Sequence, residues 1–563
     1  MVLTHSDRTS CGADAHSITV TNIKSGDALC YPLCLLKGHV SMRNQPSACR
    51  WPEAKLQMRQ YSSHDKRPTV TNWPVVNCEF KSLAHLSTGN NHIILEYCGT
   101  TTEFMLTYHP RNTSFHVIPV YIICKNHDGQ FQAPASEDNT VQSACQRITL
   151  GTRLIQCLMA EKLKEAGFER KTFQIEQDLN PSSPECHVFH SQLDVEQARK
   201  MKGIELWEYF GRELMMSSLG RQDRKFLAFL SCTRYNPKSI DKFPSTHDEM
   251  IACTEAYVAL GGGGLALFGS ACLHTWASRI EEVIPRLLNI NKVDAQHFMD
   301  DSCYRGTYGG CYATTLGSVC HELGHTFDLG HSSEGIMARG FDNLDLVFAL
   351  PPQNNNHLRG NSRNVISPVC KEEPQHSTVS LSKILNVSYS VASPMKRICS
   401  RPRRECVLQS SYDSSDSCSS HSSEVMQDDS ELCRNDPGEA CSAISEDHSV
   451  ITNARRLSKS NGDCTFWTKS CATLLNHHRW FNSEKFANSS HDVLLFDPDR
   501  NSIISSCGIC VAEVRDDSGL ILLSYEFSDG VDSLPLSMEL KPEGSCLIVV
   551  EDTVGNILKH SLV

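Results

Sequence analysis

Between residues 16 and 112 apolar and polar positions alternate with a period of two. In SITVTNI, Ile18 and Val20 stand between Ser and Thr residues, and HIILEYC and EFMLTYH flank Gly99-Thr100-Thr101-Thr102. Side chains two apart share one face of a strand, so this alternation predicts half-buried strands and a hairpin. They form a β-sandwich-like module over residues 1–112. At about residue 113 the period changes. VIPVYIIC (117–124) is a continuous apolar run, as expected of a strand buried on both faces. Ser143 is placed to cap a helix in which Ala144, Ile148, Ile155, Leu158 and Met159 line one face, and Gly167 ends it. Strands are predicted at KTFQIEQ (171–177), KFLAFLSC (225–232) and GLALFGS (264–270), and helices near 194–217, 246–258 and 276–289. Strands alternating with helices imply a mixed α/β sheet. This second unit is expected to span 113–352.

Beyond it the pattern lapses. From Gln353 to Asp463, 111 residues hold 24 serines and two aromatics, Tyr389 and Tyr412. So little apolar surface cannot offset the entropy of ordering. A disordered Ser-rich insert, open to kinases, is predicted at 353–463. Helical spacing returns in TFWTKSCATLLNHHRWF, with Trp467, Cys471, Leu474 and Leu475 on one side; this segment, 464–481, is expected to close the preceding unit. Residues 482–563 read as a second β module. There ICVAEVR and LILLSYEF flank Asp516-Asp517-Ser518-Gly519, and CLIVVED and NILKHSL flank Thr553-Val554-Gly555. The predicted fold class is α+β and multidomain, with β-sandwich-like modules flanking a mixed α/β unit.

Composition narrows the partners. With 53 basic and 65 acidic residues the net charge is -12, which argues against general nucleic-acid binding and against a basic membrane-binding stripe. The start lacks a charged-then-apolar leader pattern, and no apolar run reaches the length of a membrane span. The 27 cysteines are odd in number, and Cys124, Cys157, Cys232 and Cys253 sit inside apolar runs, where a thiol acts as a small hydrophobe. A reduced, intracellular chain is expected, cytoplasmic with nuclear residence left open. The lone pair Cys507 and Cys510 is read as structural.

The sharpest chemical signal is HELGHTFDLGH, residues 321–331, followed by Met337. His321 and His325, four apart, share one helix face and can reach one metal ion. Glu322 projects roughly 100° away, towards a metal-bound water. On an unbroken helix His331 would lie roughly 9 Å further along and on another face. It joins the same metal only if the helix breaks between them, and Asp328 and Gly330 are the places for that break. Leu316, Val319, Leu323 and Phe327 follow helical spacing, which places the motif on a half-buried helix over about 314–329.

HELGHTFDLGH with Met337 resembles the metzincin clan of zinc endopeptidases, HExxHxxGxxH with a methionine turn. It is still more similar to a metallopeptidase family of fungi and animals in which Asp replaces the glycine. That likeness extends through VIPVYIICKNHDGQFQAP, GGGGLALFGSACLHTW and HHRWF. The resemblance implies a metzincin-like zincin domain with one zinc per chain, held by His321, His325 and His331. Glu322 is then the general base, and Met337 a structural turn beneath the metal. It also implies an edge strand that binds extended substrate; GLALFGS is the candidate, with an ordinary interior strand as the alternative. Asp328 stands where the clan's glycine is left-handed. That costs an Asp about 1–2 kcal/mol at most, against about 10 kcal/mol from zinc, and Asp328 or Glu334 stays open as the third ligand. Arg339, Tyr304, Tyr308 and Tyr312 are candidates for a second oxyanion donor.

The expected function is a zinc metallopeptidase, an endopeptidase acting on peptide or protein substrates. The zinc lowers the pKa of a bound water, and Glu322 takes its proton and passes it to the leaving amine. The alternatives are a non-catalytic, zinc-stabilised interaction protein that uses its β modules, and a hydrolase of non-peptide amides. Glu322 favours an enzyme, because a structural zinc site has no use for a base beside it.

Overall fold

The computed structural model describes residues 16–42, 55–62, 67–239, 244–350, 464–483, 493–536 and 545–562. All of them belong to one unit, built from residues 1–392 and 463–563. The predicted insert at 353–463 lies outside the described residues.

The N-terminal alternation becomes eight strands: β1 (His16–Val20), β2 (Ala28–Leu29), β3 (Leu33–Met42), β4 (Lys55–Ser62), β5 (Thr69–Val76), β6 (Glu79–His85), β7 (Gly89–Tyr97) and β8 (Thr100–Tyr108). Their order is β1-β3-β6-β5-β4-β7-β8-β2. β5 pairs with β4 through residues 69–74 and with β6 only at Val75 and Val76. That switch of partners folds the sheet over and brings β1 against β8, with Leu35, Leu56, Trp73, Phe80, Leu95 and Leu106 buried. The hairpin turn is tighter than predicted. Cys98 and Gly99, with φ of 49° and 82°, make the whole turn, a geometry whose twist suits antiparallel strands.

The central sheet carries the site. β9 (His116–Lys125) lies beside β12 (Arg224–Leu230) on one side and beside β10 (Gln174–Ile175) and β11 (His187–Asp194) on the other. β16 (Leu265–Gly269) follows β12 in parallel, and β15 (Ala259–Gly262) closes the edge antiparallel to β16. A two-residue ladder, β13 (Arg234–Tyr235) with β14 (Thr254–Glu255), stands apart. GLALFGS is therefore an interior strand and not the sheet edge. The chain reverses through Gly263, whose φ is 52°, and lays Ala259–Gly262 on the outside. β11 escapes a reading by hydrophobicity because HVFHSQLD is mostly polar, as an outer strand permits.

Helix ends differ from the expectations where side chains intervene. The helix Val141–Glu165 is capped by Thr140, whose hydroxyl accepts from Ser143 N, and Ser143 itself donates to Asp138 O. Gly167 follows the helix with φ of 96°. The helix expected from 276 starts at Ile280, because Glu282 binds back to Ser278 N. The one expected over 246–258 stops at Ala252, where strand pairing of Thr254 takes over.

The C-terminal module is one curled sheet, not the two-sheet sandwich predicted. Its strands are β17 (Leu494–Asp497), β18 (Ser502–Arg515), β19 (Ile521–Pro535), β20 (Cys546–Asp552) and β21 (Ile557–Leu562). Central β18 is long enough to take β17 and then β20 on one side and β19 on the other. Phe496 stacks on His560 with ring centroids 4.0 Å apart, which curls the sheet around Ile503, Val514, Ile548 and Val550. The predicted helix near 465–481 spans Lys469–His477, with a short turn Arg479–Phe481 after it. Its Leu474, Leu475, Trp480 and Phe481 bury in the same core as the metal-motif helix. Among the described residues, no helix is long and apolar enough to cross a membrane.

Candidate metal centre

The helix Tyr308–Thr326 carries the motif. It starts earlier than the predicted 314 because Thr307 caps it, accepting from Gly310 N. Leu316, Val319 and Leu323 bury its inner face. It ends at Thr326, before the predicted 329, and Asp328 then adopts φ of 64°. This left-handed residue turns the chain and brings His331 back to the helix.

The structure brings the three predicted histidines together. His325 Nε2 stands 3.1 Å from His321 Nε2 and 3.1 Å from His331 Nε2. The other ring nitrogens face backbone carbonyls: His321 Nδ1 lies 2.9 Å from Ile336 O, His325 Nδ1 2.9 Å from Leu329 O, and His331 Nδ1 3.2 Å from Ser518 O. A carbonyl only accepts, so each Nδ1 carries the proton and each Nε2 turns a lone pair inward. Protonation is a poor remedy for that crowding. Burial, then the neighbouring His321 and His331, hold His325 well below its ordinary range. Three neutral imidazoles converging on one point are a donor set that fits zinc. Among the described residues this is the single cluster of its kind. Asp328 and Glu334 are outside it; Glu334 is exposed, and Asp328 turns elsewhere.

Met337 is buried beneath the site, its Sδ packed towards Gly324 on the helix between His321 and His325. Ser332 N donates to Met337 O, which closes the turn whose Ile336 carbonyl orients His321. Glu322 lies on the side facing β15. Burial pushes its carboxyl up to about 8, opposed by a hydrogen bond from the Gly261 backbone. A Cβ at Gly261 would stand 1.9 Å from Glu322 O, so only glycine lets the edge strand approach this closely. Gly261→Ala is expected to cost roughly 1–3 kcal/mol, in the range of overpacked sites, and to lower activity with it; chemical denaturation checks the first effect.

Of the predicted oxyanion donors, the three tyrosines are placed elsewhere, while Arg339 lies over Phe341, whose ring packs on His321. Tyr304 is exposed, Tyr308 stands beside His274 at the start of the helix, and Tyr312 packs on Trp276. Arg339 also pairs with Asp342. The sequence reading missed Tyr257, just before β15. Burial raises its phenol well above the ordinary value, followed by the charges of Asp301, Cys272 and Glu322. No motif marks it.

Nor did the sequence link the C-terminal module to the site. His331 N donates to Gly519 O at 2.9 Å, and Ile521 N donates to His331 O at 2.8 Å. With Ser518 O at its Nδ1, the third histidine is held on three sides by the β18–β19 hairpin. Arg515 lies across Gly330 and donates to Asp328 O at 2.7 Å. The Asp328 carboxylate meets Lys559 on β21 at 2.5 Å and His478 at 3.4 Å. Burial would raise this carboxyl, but Lys559, then His478 and Lys225, hold it well below the usual range. Lys225 itself stands over Trp480, 4.7 Å from the ring centre. Asp328 thus joins the site loop to β12, the closing helix and the C-terminal sheet. The described cysteines are free thiols, and Cys507 and Cys510 lie along β18 outside any metal cluster.

A family model described as "Putative peptidase family" matches residues 17–434, more than half of the chain. The chain belongs to this family. Two yeast proteins resemble it, each named "Putative zinc metalloproteinase". The Schizosaccharomyces pombe protein is 25% identical over 350 residues, covering 59% of this chain and 53% of that one. The Saccharomyces cerevisiae protein is 24% identical over 388 residues, covering 63% and 52%. The chain thus spans about half the length of the curated relatives it matches. Among solved structures, wild-type OgpA from Akkermansia muciniphila aligns with a TM-score of 0.35 and 10% identity over 80% of this chain and 94% of that one. Catalytically inactive OgpA, solved with an O-glycopeptide substrate, aligns with a TM-score of 0.34 and 11% identity over 80% and 93%.

Proposed function

We propose that this chain is a metzincin-like zinc peptidase that cuts within peptide or protein substrates. The observation that carries the reading is the convergence of three Nε2 atoms with Glu322 on the adjoining face of one helix. His321, His325 and His331 would hold one zinc per chain, and their Nδ1 hydrogen bonds fix the ring orientations that binding needs. Zinc in such a site lowers the pKa of bound water and polarises a carbonyl. The charge of a bound zinc would favour the ionised form of Glu322 against the effect of burial, and the carboxylate would then accept the water's proton and return it to the leaving amine. Among the described residues β15 has a strand on one side alone, and its other edge would take an extended substrate by antiparallel pairing.

In domain terms, residues 113–352 and 464–481 form the catalytic unit, and 353–463 is an insert within it, accessible to kinases. Buried free thiols fit a reducing, intracellular setting. Lengthening a surface loop costs only about 0.6 kcal/mol per doubling. Replacing 353–463 by a short Gly/Ser linker is therefore expected to leave zinc content and melting temperature unchanged; a large drop in either would show that the insert supports the fold.

A proteome-wide comparison of cleaved termini, with wild-type and Glu322→Gln protein, tests the reading. New termini that require the wild-type carboxylate are expected. Identical sets of termini would leave the chain as a zinc-stabilised interaction protein.

A further inference from the structure

We propose that the outer edge of β19 is a polypeptide-docking rail that leads an extended chain to the metal centre. The proposal rests on the peptidase reading and adds a second substrate-binding edge, supplied by the C-terminal module. The first rung of this edge is already occupied. His331 forms an isolated parallel bridge with Leu520, through His331 N to Gly519 O and Ile521 N to His331 O. The chain then turns away, because Ser332 N bonds to Met337 O. Past that rung, among the described residues, β19 pairs with β18 on its inner side and with no strand on its outer side. An extended chain laid there would continue the line of His331, and its end would abut the third histidine.

The side chains agree with an occupant that is absent from this chain's described residues. Of twelve exposed large apolar residues among the described residues, four lie here: Leu520, Leu522, Leu523 and Tyr525, each 37–40% exposed. Isolated exposed apolar residues need no explanation, but a cluster on a free strand edge does. Edges that must stay unpaired usually carry lysines or prolines. Residues 520–534 contain neither, β19 reaching a proline only at its last residue, Pro535, and their charges are Asp529, Asp532 and Glu526, the last paired with Lys469. The edge therefore favours a neutral or basic extended polypeptide with apolar side chains. The strand is also fixed in place: Lys469 pairs with Glu526 at 3.4 Å, so docking would not have to order it.

The test separates docking from catalysis. Zinc-loaded full-length Glu322→Gln protein is titrated with fluorescein-labelled β-casein that has been dephosphorylated and amidated at its carboxylates, an unfolded polypeptide that this treatment makes basic, and binding is read by anisotropy. Adding Leu522→Asp and Tyr525→Asp is expected to weaken binding at least about tenfold, as loss of anchoring contacts does. Asp at exposed Met105 and Val188 serves as the control and is expected to change it less than about twofold. A photo-crosslinker at position 522 is expected to label the casein. Unchanged affinity in the edge variant, or no binding by the parent, would overturn the proposal. So would concentration-dependent self-association that the edge variant abolishes without casein labelling, which would assign the edge to a second copy of this chain. If casein binds through the edge while wild-type protein yields no cleaved termini, the peptidase reading fails and the docking surface stands.

Discussion

Glu322→Gln protein is expected to keep its zinc and its fold while peptide hydrolysis falls by at least about 10²-fold. The amide matches the carboxylate in shape and can still meet the Gly261 backbone, but it cannot take a proton from water. The three histidines are untouched, so metal content is the internal control. Steady-state hydrolysis of a peptide library, beside metal analysis of the same preparations, gives the result. Turnover within a few-fold of wild type would remove Glu322 from the mechanism. Loss of zinc along with activity would show that the variant had damaged the site instead.

The second large effect is expected at Asp328. Substituting glycine, the residue the metzincin pattern places there, relieves a left-handed conformation worth about 1–2 kcal/mol. It also removes a partly buried carboxylate, 25% exposed, from among Lys559, His478 and Lys225. Breaking a buried pair costs about 3–5 kcal/mol, so electrostatics wins over strain. Asp328→Gly is expected to be less stable by roughly 1–4 kcal/mol and to bind zinc more weakly, because the loop that returns His331 loses its anchor. The sign of the pH dependence follows. A carboxyl held below its unfolded value near 3.9 stabilises the fold above that pH, and the contribution is lost as pH falls through the folded value. The variant should lack this part of the acid sensitivity. Truncation after Asp463 removes His478, Arg515, the Ser518–Gly519 hairpin and Lys559 together, and is expected to cost the fold its metal centre. Equal stability of Asp328→Gly and wild type, measured by urea unfolding, would contradict the anchoring role.

Contacts between residues close in sequence were legible from the residues alone. The spacing of His321, Glu322 and His325 needs only a helix, and the return of His331 needs only a break, so six residues of separation carried that geometry. The left-handed Asp328 was readable for the same reason. What Asp328 holds was not. Lys559 lies 231 positions away, and no pattern in a single chain announces a pairing of that separation. The Asp516–Gly519 turn was visible as a turn, but its seat against His331 was not, because it depends on how two sheets pack. GLALFGS was left between edge and interior because apolar character marks burial without fixing strand order, and the true edge, Ala259–Gly262, is half glycine. Helix ends were misjudged where capping by Thr140 or Thr307 outweighed hydrophobic period.

The measurement that bears most directly on the central claim is zinc K-edge absorption on the purified full-length chain, alongside its metal content. One zinc per chain with three imidazole nitrogens and one oxygen donor is the expected result, and His331→Ala should lose one imidazole from that shell. A chain that purifies without zinc, or a shell containing sulfur, would contradict it.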